Sequence, residues 1–514
     1  MSRGPRVIVG SRSMALDRRS FLKLTGLAAI APGLPEAARA AAPPPPASAR
    51  PPALAESSPS SEAKADYTIR IARSDVELAP GHSVSTTTYN SRFPGPLLRF
   101  KQGQRVVVDI HNDTATAEQL HWHGQTLPVD VDGAAEEGSP YIPARGMRRI
   151  AFTPGPAGLR FYHTHLIAGS NLQAGLYSGQ AGPVLIEDSH EPGRYDREVI
   201  LVLKEFEPSL SQGGDMAMDF LEPSRTDPDL KRAGESAMAA SLRHRMPHGY
   251  EVGYKLFCIN GRMLGHGEPI RVRAGERVLF HVLNASATEI RSLSLPGHTF
   301  SVVALDGNPV PAPARVHTLW LGTAERISAI VEMNHPGVWV LGDLADEDRA
   351  RGMGIIVEYA GAKGEAQWAA PRSSRWDYTR FGHGVAPAPD DTIDMVFAKV
   401  NAARSGFNQW TLNGESFSME RMSPLFKIHA GRRYRLRMRN ASDDIHPVHL
   451  HRHSFELVSI AGKPTSGVMK DVVMIGGYQQ VEVDFVANNP GLTLFHCHQQ
   501  LHMDFGFMAL LEYA

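Results

Sequence analysis

Apolar and polar residues alternate along three stretches of the chain that share one frame. Between Gly103 and Asn112 the apolar positions are Val106, Val108 and Ile110; between Gly275 and Asn284 they are Val278, Phe280 and Val282; between Gly431 and Asn440 they are Tyr434, Leu436 and Met438. A period of two sends successive side chains to opposite faces, so each stretch predicts a strand with one buried face. A proline precedes each stretch (Pro96, Pro269, Pro424), and each copy closes on a glycine-led apolar strand beginning at Gly158, Gly337 or Gly491. The copies start 172 and 156 residues apart, a domain-sized spacing rather than that of a solenoid. Long helical periodicities are few. The pattern predicts an all-β chain of three β-sandwich domains, at 67–190, 195–360 and 391–514.

Ahead of the first domain the pattern is different. Asp17-Arg18-Arg19-Ser20-Phe21-Leu22-Lys23 resembles a twin-arginine export signal, followed by a short apolar stretch from Leu24 to Ala31 and a small-x-small cleavage pattern, Ala38-Arg39-Ala40. Residues 1–40 are therefore read as an export signal, with Met14 as a start that gives a leader of more usual length. Residues 41–66, rich in Pro, Ala and Ser, read as a tether without a core. The expectation is a periplasmic or extracellular protein carried out folded by the twin-arginine translocase. No apolar run approaches the roughly 18 residues of a membrane span.

Composition narrows the function. Of 514 residues 42% are apolar and 21% charged, as in a globular protein. The formal charge of −1 hides an uneven distribution: the first forty residues carry seven Lys/Arg against two acids, leaving 46 basic and 52 acidic residues, a net of −6. A nucleic-acid partner is excluded on that balance. Two cysteines, Cys258 and Cys497, cannot build a disulfide framework, and the 23 histidines are the anomaly.

Those histidines sit at fixed offsets in the repeat. Nine residues after the closing Asn come His121-Trp122-His123 in the first copy, His449-Leu450-His451 in the third, and Leu293-Ser294-Leu295 in the second. Five residues after the later Gly come His163-Thr164-His165, His496-Cys497-His498 and Gly342-Asp343-Leu344, in the same order. A structural need for histidine would show in all three copies, and it does not. On a strand, residues i and i+2 share a face, so each His-x-His aims two imidazoles at one point. Eight imidazoles exceed one ion's needs and imply two or three metals, with Cu, Zn, Ni and Fe all suited to the ligand. Cys497 narrows the choice. It points to the face opposite its two neighbours, and with His446 and His502, which have no counterpart in the other copies, it makes the His₂Cys set of a blue-copper electron-transfer site. Cys258, without such neighbours, reads as structural.

His121-Trp-His-Gly124, Phe161-Tyr-His-Thr-His165, His446-Pro-Val-His-Leu-His451 and His496-Cys-His-Gln-Gln-Leu-His502 resemble the signature segments of three-domain multicopper oxidases, the laccase-like family of Greek-key cupredoxin repeats. The resemblance implies four copper ions. His446, Cys497 and His502 would hold the type 1 copper, His121 and His449 the type 2 copper, and His123, His163, His165, His451, His496 and His498 the type 3 pair. It implies one-electron oxidation of a small reducing substrate, a phenol or aromatic amine, coupled to four-electron reduction of dioxygen to water. Protons are consumed as well, and Asp132, nine residues after His123, stands where the family commonly carries a relay acid; followed by Gly133, it also fits an ordinary turn.

The axial position of the type 1 site, ten after Cys497, is Phe507, which cannot ligate; Met508 is adjacent. Met503 stands where some bacterial relatives carry Glu, with Asp504 next to it, and Arg452 replaces a usual Gly without an evident reason. His453-Ser-Phe455 aligns with His298-Thr-Phe300 of the metal-free middle copy and reads as structural. The stretch 209–248 carries Met216, Met218, Met238, His244, Met246 and His248, so a cuprous-ion oxidase is the alternative reading. A non-enzymatic scaffold would have lost ligands, and none is substituted.

Overall fold

In a computed structural model of the protein the described residues are 64–188, 194–211, 220–242 and 248–514. The export signal, almost all of the tether, and Met216, Met218, His244 and Met246 lie outside them. The three alternating stretches are strands, Val106–Asn112, Arg277–Asn284 and Arg433–Asn440. Each pairs in parallel with the opening strand of its domain (Tyr67–Ala79, Arg197–Ser211 or Asp391–Arg404) and antiparallel with Met147–Phe152, Arg326–Glu332 or Gln480–Val486. The Asn that closes each strand has a definite task. Its side-chain NH₂ donates to the carbonyls of Thr116, Ile142 and Pro143 (Asn112), of Glu289 and Leu321 (Asn284), and of Asp444 and Gly476 (Asn440). Its oxygen accepts from the backbone N–H two residues on, at Thr114, Ser286 or Ser442. This local cross-brace satisfies buried polar groups and sets the path of the loop leading to the next strand.

A second sheet faces the first in every domain. Its strands run in the order Leu98–Lys101, Ala181–Glu187, Gly158–His163, His121–His123 in the first domain. In the third domain the order is Phe426–Ile428, Met508–Tyr513, Thr493–Cys497, His446–Leu450, Val472–Ile475. The architecture is all-β, three cupredoxin-like Greek-key β-sandwiches. One strand departs from the expected single buried face: Arg277–Asn284 is buried along nearly its whole length. Its outer residue Leu283 packs with Val76, Phe93, Leu159 and Phe161 of the first domain, so the middle domain is covered where an isolated sandwich would meet water.

Helices are few. Pro228–Ser241 is capped by Asp227, whose carboxylate accepts from the N–H groups of Asp229 and Leu230, and it lies against Asp391–Arg404. Gln500–Asp504 is a single turn after Cys497. Among the described residues no helix is long and apolar enough to cross a membrane.

Candidate metal centre

Two strand pairs supply the histidines. His121–His123 pairs with Gly158–His163, with His121 opposite His163, and His446–Leu450 pairs with Thr493–Cys497, with His449 opposite His496 and Val448 opposite Cys497. Alternation sends Trp122 into the first domain's core and Leu450 into the third's, leaving the flanking imidazoles to meet between the domains. All eight are buried. Their rings form two triangles. His165, His451 and His496 have centroids 4.9–5.1 Å apart, and His123, His163 and His498 are 5.0–5.6 Å apart. His121 and His449 complete the group, stacked on His451 at 4.1 Å and on His123 at 3.8 Å.

An imidazole ligates with one nitrogen while an oxygen partner fixes the other. Nδ1 lies 3.0 Å from Asp132 O in His121, 2.8 Å from Thr164 O in His163, 2.7 Å from Asp471 O in His449 and 2.9 Å from Cys497 O in His496. In His451 it lies 3.0 Å from a carboxylate oxygen of Asp132, and in His165 3.2 Å from Glu136. His123 is reversed: its Nε2 meets Asp471 Oδ1 at 3.0 Å, leaving Nδ1 turned to the cluster. The inward nitrogens are orphans. Nε2 of His121, His165, His449 and His498 has no hydrogen-bond partner, and Nε2 of His451 and His496 face each other at 3.0 Å. Burial, reinforced by neighbouring imidazoles, holds His123, His163, His449, His451, His496 and His498 well below the usual histidine range. His165 is pressed down by burial, but Glu136, Asp132 and Asp504 outweigh that and raise it. Six imidazoles held in the neutral form, within a cluster whose inward nitrogens converge without partners, fit a group of metal ions.

Cys497 turns away from this cluster, as its place between His496 and His498 requires. Its Sγ lies 3.7 Å from His446 Nδ1 and 3.5 Å from His502 Nδ1, and those nitrogens are 3.2 Å apart. Burial raises the thiol and lowers both imidazoles, with Lys399 adding to the lowering. The donor set suits copper, whose binding displaces the thiol proton. Phe507 faces this site, 4.8 Å from the His446 ring. Met508 faces the opposite way, into a cluster with Leu494, Met503 and Leu510, so no thioether from it reaches the sulfur.

Asp132 lies between two of the predicted histidines, 3.0 Å from Nδ1 of both His121 and His451. Three further carboxylates at the cluster escaped sequence reasoning. Glu136 and Glu137 lie on the same loop as Asp132, fully buried where an acidic pair in a glycine-bounded loop suggests solvent, and Asp471 touches His123 from the third domain. The signal for Asp471 was slight, a charged pair abutting the apolar run Val472–Ile475. Asp504 accepts from the N–H groups of Ala168 and Gly169 and from Gln500, tying the first domain to the turn after Cys497. Arg452 acquires a reason: at φ +60°, where glycine is favoured, it donates to carbonyls of Leu127, Asn489, Pro490 and Leu492. His453 bonds Tyr513 as His298 bonds Tyr359, a matched structural role.

Three family models, each described as multicopper oxidase, match residues 70–191, 236–357 and 386–514. The chain is 29% identical over 443 residues to the multicopper oxidase MmcO of Mycobacterium tuberculosis, covering 84% of each chain. It is 24% identical to Laccase-2 of Fomitopsis schrenkii, covering 84% of this chain and 87% of that one. The solved structure of a Campylobacter jejuni multicopper oxidase, described as a metallo-oxidase, superposes with a TM-score of 0.64 at 20% identity, over 88% of this chain and 93% of that one.

Proposed function

The chain belongs to the multicopper oxidase family, oxidoreductases that use copper and dioxygen, and from that premise we propose that it oxidises phenols or aromatic amines one electron at a time while reducing dioxygen to water. His446, Cys497 and His502 would hold one copper, His121 and His449 a second, and the remaining six cluster histidines a pair. When bound, copper supplies one-electron redox chemistry: four single electrons taken beside Cys497 reach dioxygen at the histidine cluster, and with four protons yield two waters. The observation that carries this reading is the single strand in which Cys497 points to His446 and His502 while His496 and His498, one residue either side, point into the cluster. The backbone itself is the bridge between donor side and dioxygen side.

Asp132 is the proposed proton relay. Its carboxylate holds Nδ1 of His451 and faces Nδ1 of His121, which places it beside the cluster where incoming protons are consumed. The character of the donor side supports an organic reductant. Asp443 and Asp444, which could attract a cation beside His446, are occupied by Lys399 Nζ at 2.8 and 2.7 Å. That ammonium lies over Trp410, which in turn packs on His446 and His502. Both carboxylates are thus engaged with an ammonium rather than open to a substrate cation. The proposal includes export of the folded protein by the twin-arginine route, and domain limits at 67–190, 195–360 and 391–514.

The test is stoichiometric. Copper-loaded protein given a phenolic donor is expected to consume one dioxygen per four donor electrons without releasing peroxide. Asp132→Asn is expected to slow dioxygen reduction by roughly 100-fold while anaerobic reduction of the Cys497 centre keeps its rate. A copper count near one per chain, or turnover of Cu(I) but not of phenols, overturns the reading.

A further inference from the structure

The middle domain has no histidine pairs, yet it reaches the cluster. Arg326, on its strand Arg326–Glu332, is fully buried and places two nitrogens on the two oxygens of Asp471, each at 2.6 Å. Its other N–H groups are used as well: Nε donates to Leu159 O at 3.3 Å, Nη1 to Ala324 O at 3.1 Å and Nη2 to Asp306 O at 3.1 Å. All five donors of the planar guanidinium therefore have an acceptor, from all three domains, and that geometry admits no alternative pose. Asp471 in turn accepts from Arg160 of the first domain at 3.3 Å, meets His123 Nε2 at 3.0 Å, and offers its carbonyl to His449 Nδ1 at 2.7 Å. Gly124, next to His123, lets the pair approach: a Cβ there would stand 2.6 Å from Arg326 Nη2 and 2.7 Å from Asp471 Oδ2.

We propose that Arg326 is a positioning residue of the histidine cluster: by locking the Asp471 carboxylate onto His123 Nε2, it makes Nδ1 the ligating nitrogen of that ring. A buried carboxylate without its bidentate partner is free to turn, and that turn releases the imidazole to flip. The middle domain, which carries no ligand, thus selects the tautomer of a ligand in the first through an acid in the third. The reversed attachment of His123, alone among the oxygen-anchored rings of the cluster, is the mark of that selection.

This inference rests on the reading of His123 as a metal ligand, and the experiment separates the two. Copper is titrated into the metal-free full chain of the parent, Arg326→Gln, Arg326→Lys and Lys470→Met, and the ions bound, the Cys497-centred blue absorption and the melting temperature are followed. Lys470 is an equally buried cation of the same junction, paired with Asp306 and Glu325 at 2.9 and 3.0 Å but not with the Asp471 carboxylate. Arg326→Gln and Arg326→Lys are expected to weaken binding of at least one cluster copper by about 10–100-fold with the blue absorption retained. Lys470→Met is expected to lower the melting temperature with the copper count intact. The proposal is overturned if Arg326→Lys binds the full complement as the parent does, if Lys470→Met loses the same copper, or if blue absorption and cluster copper fall together in every variant. A parent that binds no copper at the cluster overturns the ligand reading itself.

Discussion

Glu118 and His446 show how one position of the repeat can serve different ends, and Lys399 acts beside the second of them. Lys399 pairs with two acids, Asp443 and Asp444, beside His446 and His502. Lys399→Gln is expected to leave Asp443 and Asp444 as a cation site, with Mn(II) binding at least about tenfold tighter in calorimetric titration; equal binding by both proteins removes the residue from any part in donor choice. Glu118 occupies, in the first domain, the offset that His446 holds in the third. Burial pushes its carboxyl from 4.5 up to about 7, against the hydrogen bonds of Gln180 and Thr114 that lower it. The folded state therefore holds a proton that the unfolded chain releases. Stability is intact below pH 4.5, falls as pH rises towards 7, and stays reduced above it. Glu118→Gln is expected to recover up to about 3 kcal/mol at pH 8 and nothing at pH 4, read from melting curves at the two pH values.

The strands were legible because their periodicity, their closing Asn and their leading Gly recur in three copies, and the clustered histidines because two copies carry histidine where the third does not. The loop following His123 was not legible. Residues 129–139 contain four acids, and beyond the resemblance that singled out Asp132 nothing in their order says that Glu136 and Glu137 turn inward while Asp130 does not. Long-range packing decides it. Gly133 has φ +95°, and a Cβ there would lie 1.8 Å from Leu120 O, so the loop crosses directly over the entry to the His121 strand. Gly133→Ala is expected to cost at least about 2 kcal/mol and to reduce copper held at His121, seen as a lower melting temperature together with a lower metal count. Asp471 and Arg452 were opaque for a related reason: their partners lie hundreds of residues away in other domains.

At the scale of the molecule, ionic and hydrogen-bonded junctions rather than ligands alone join the outer domains. Arg452 links the third domain to Leu127 of the first with a guanidinium whose acceptors are mostly backbone carbonyls, groups that no substitution on their own residues can remove. Arg452→Ala removes five guanidinium hydrogen bonds at once, leaving Leu127 O only Asn489 Nδ2, and is expected to destabilise the protein by about 3 kcal/mol, with faster copper loss to a chelator. Unchanged chelation kinetics would restrict the residue to the third domain. The eight imidazoles of the cluster are divided evenly, four from residues 121–165 and four from residues 449–498. A ribosome that has released only the first two domains has therefore made half of the cluster, with His121, His123 and His163 already converging. The other half arrives only with residues 449–498, so the shared cluster closes when the third domain folds against that first half, His121 stacking on His451 and His123 on His449.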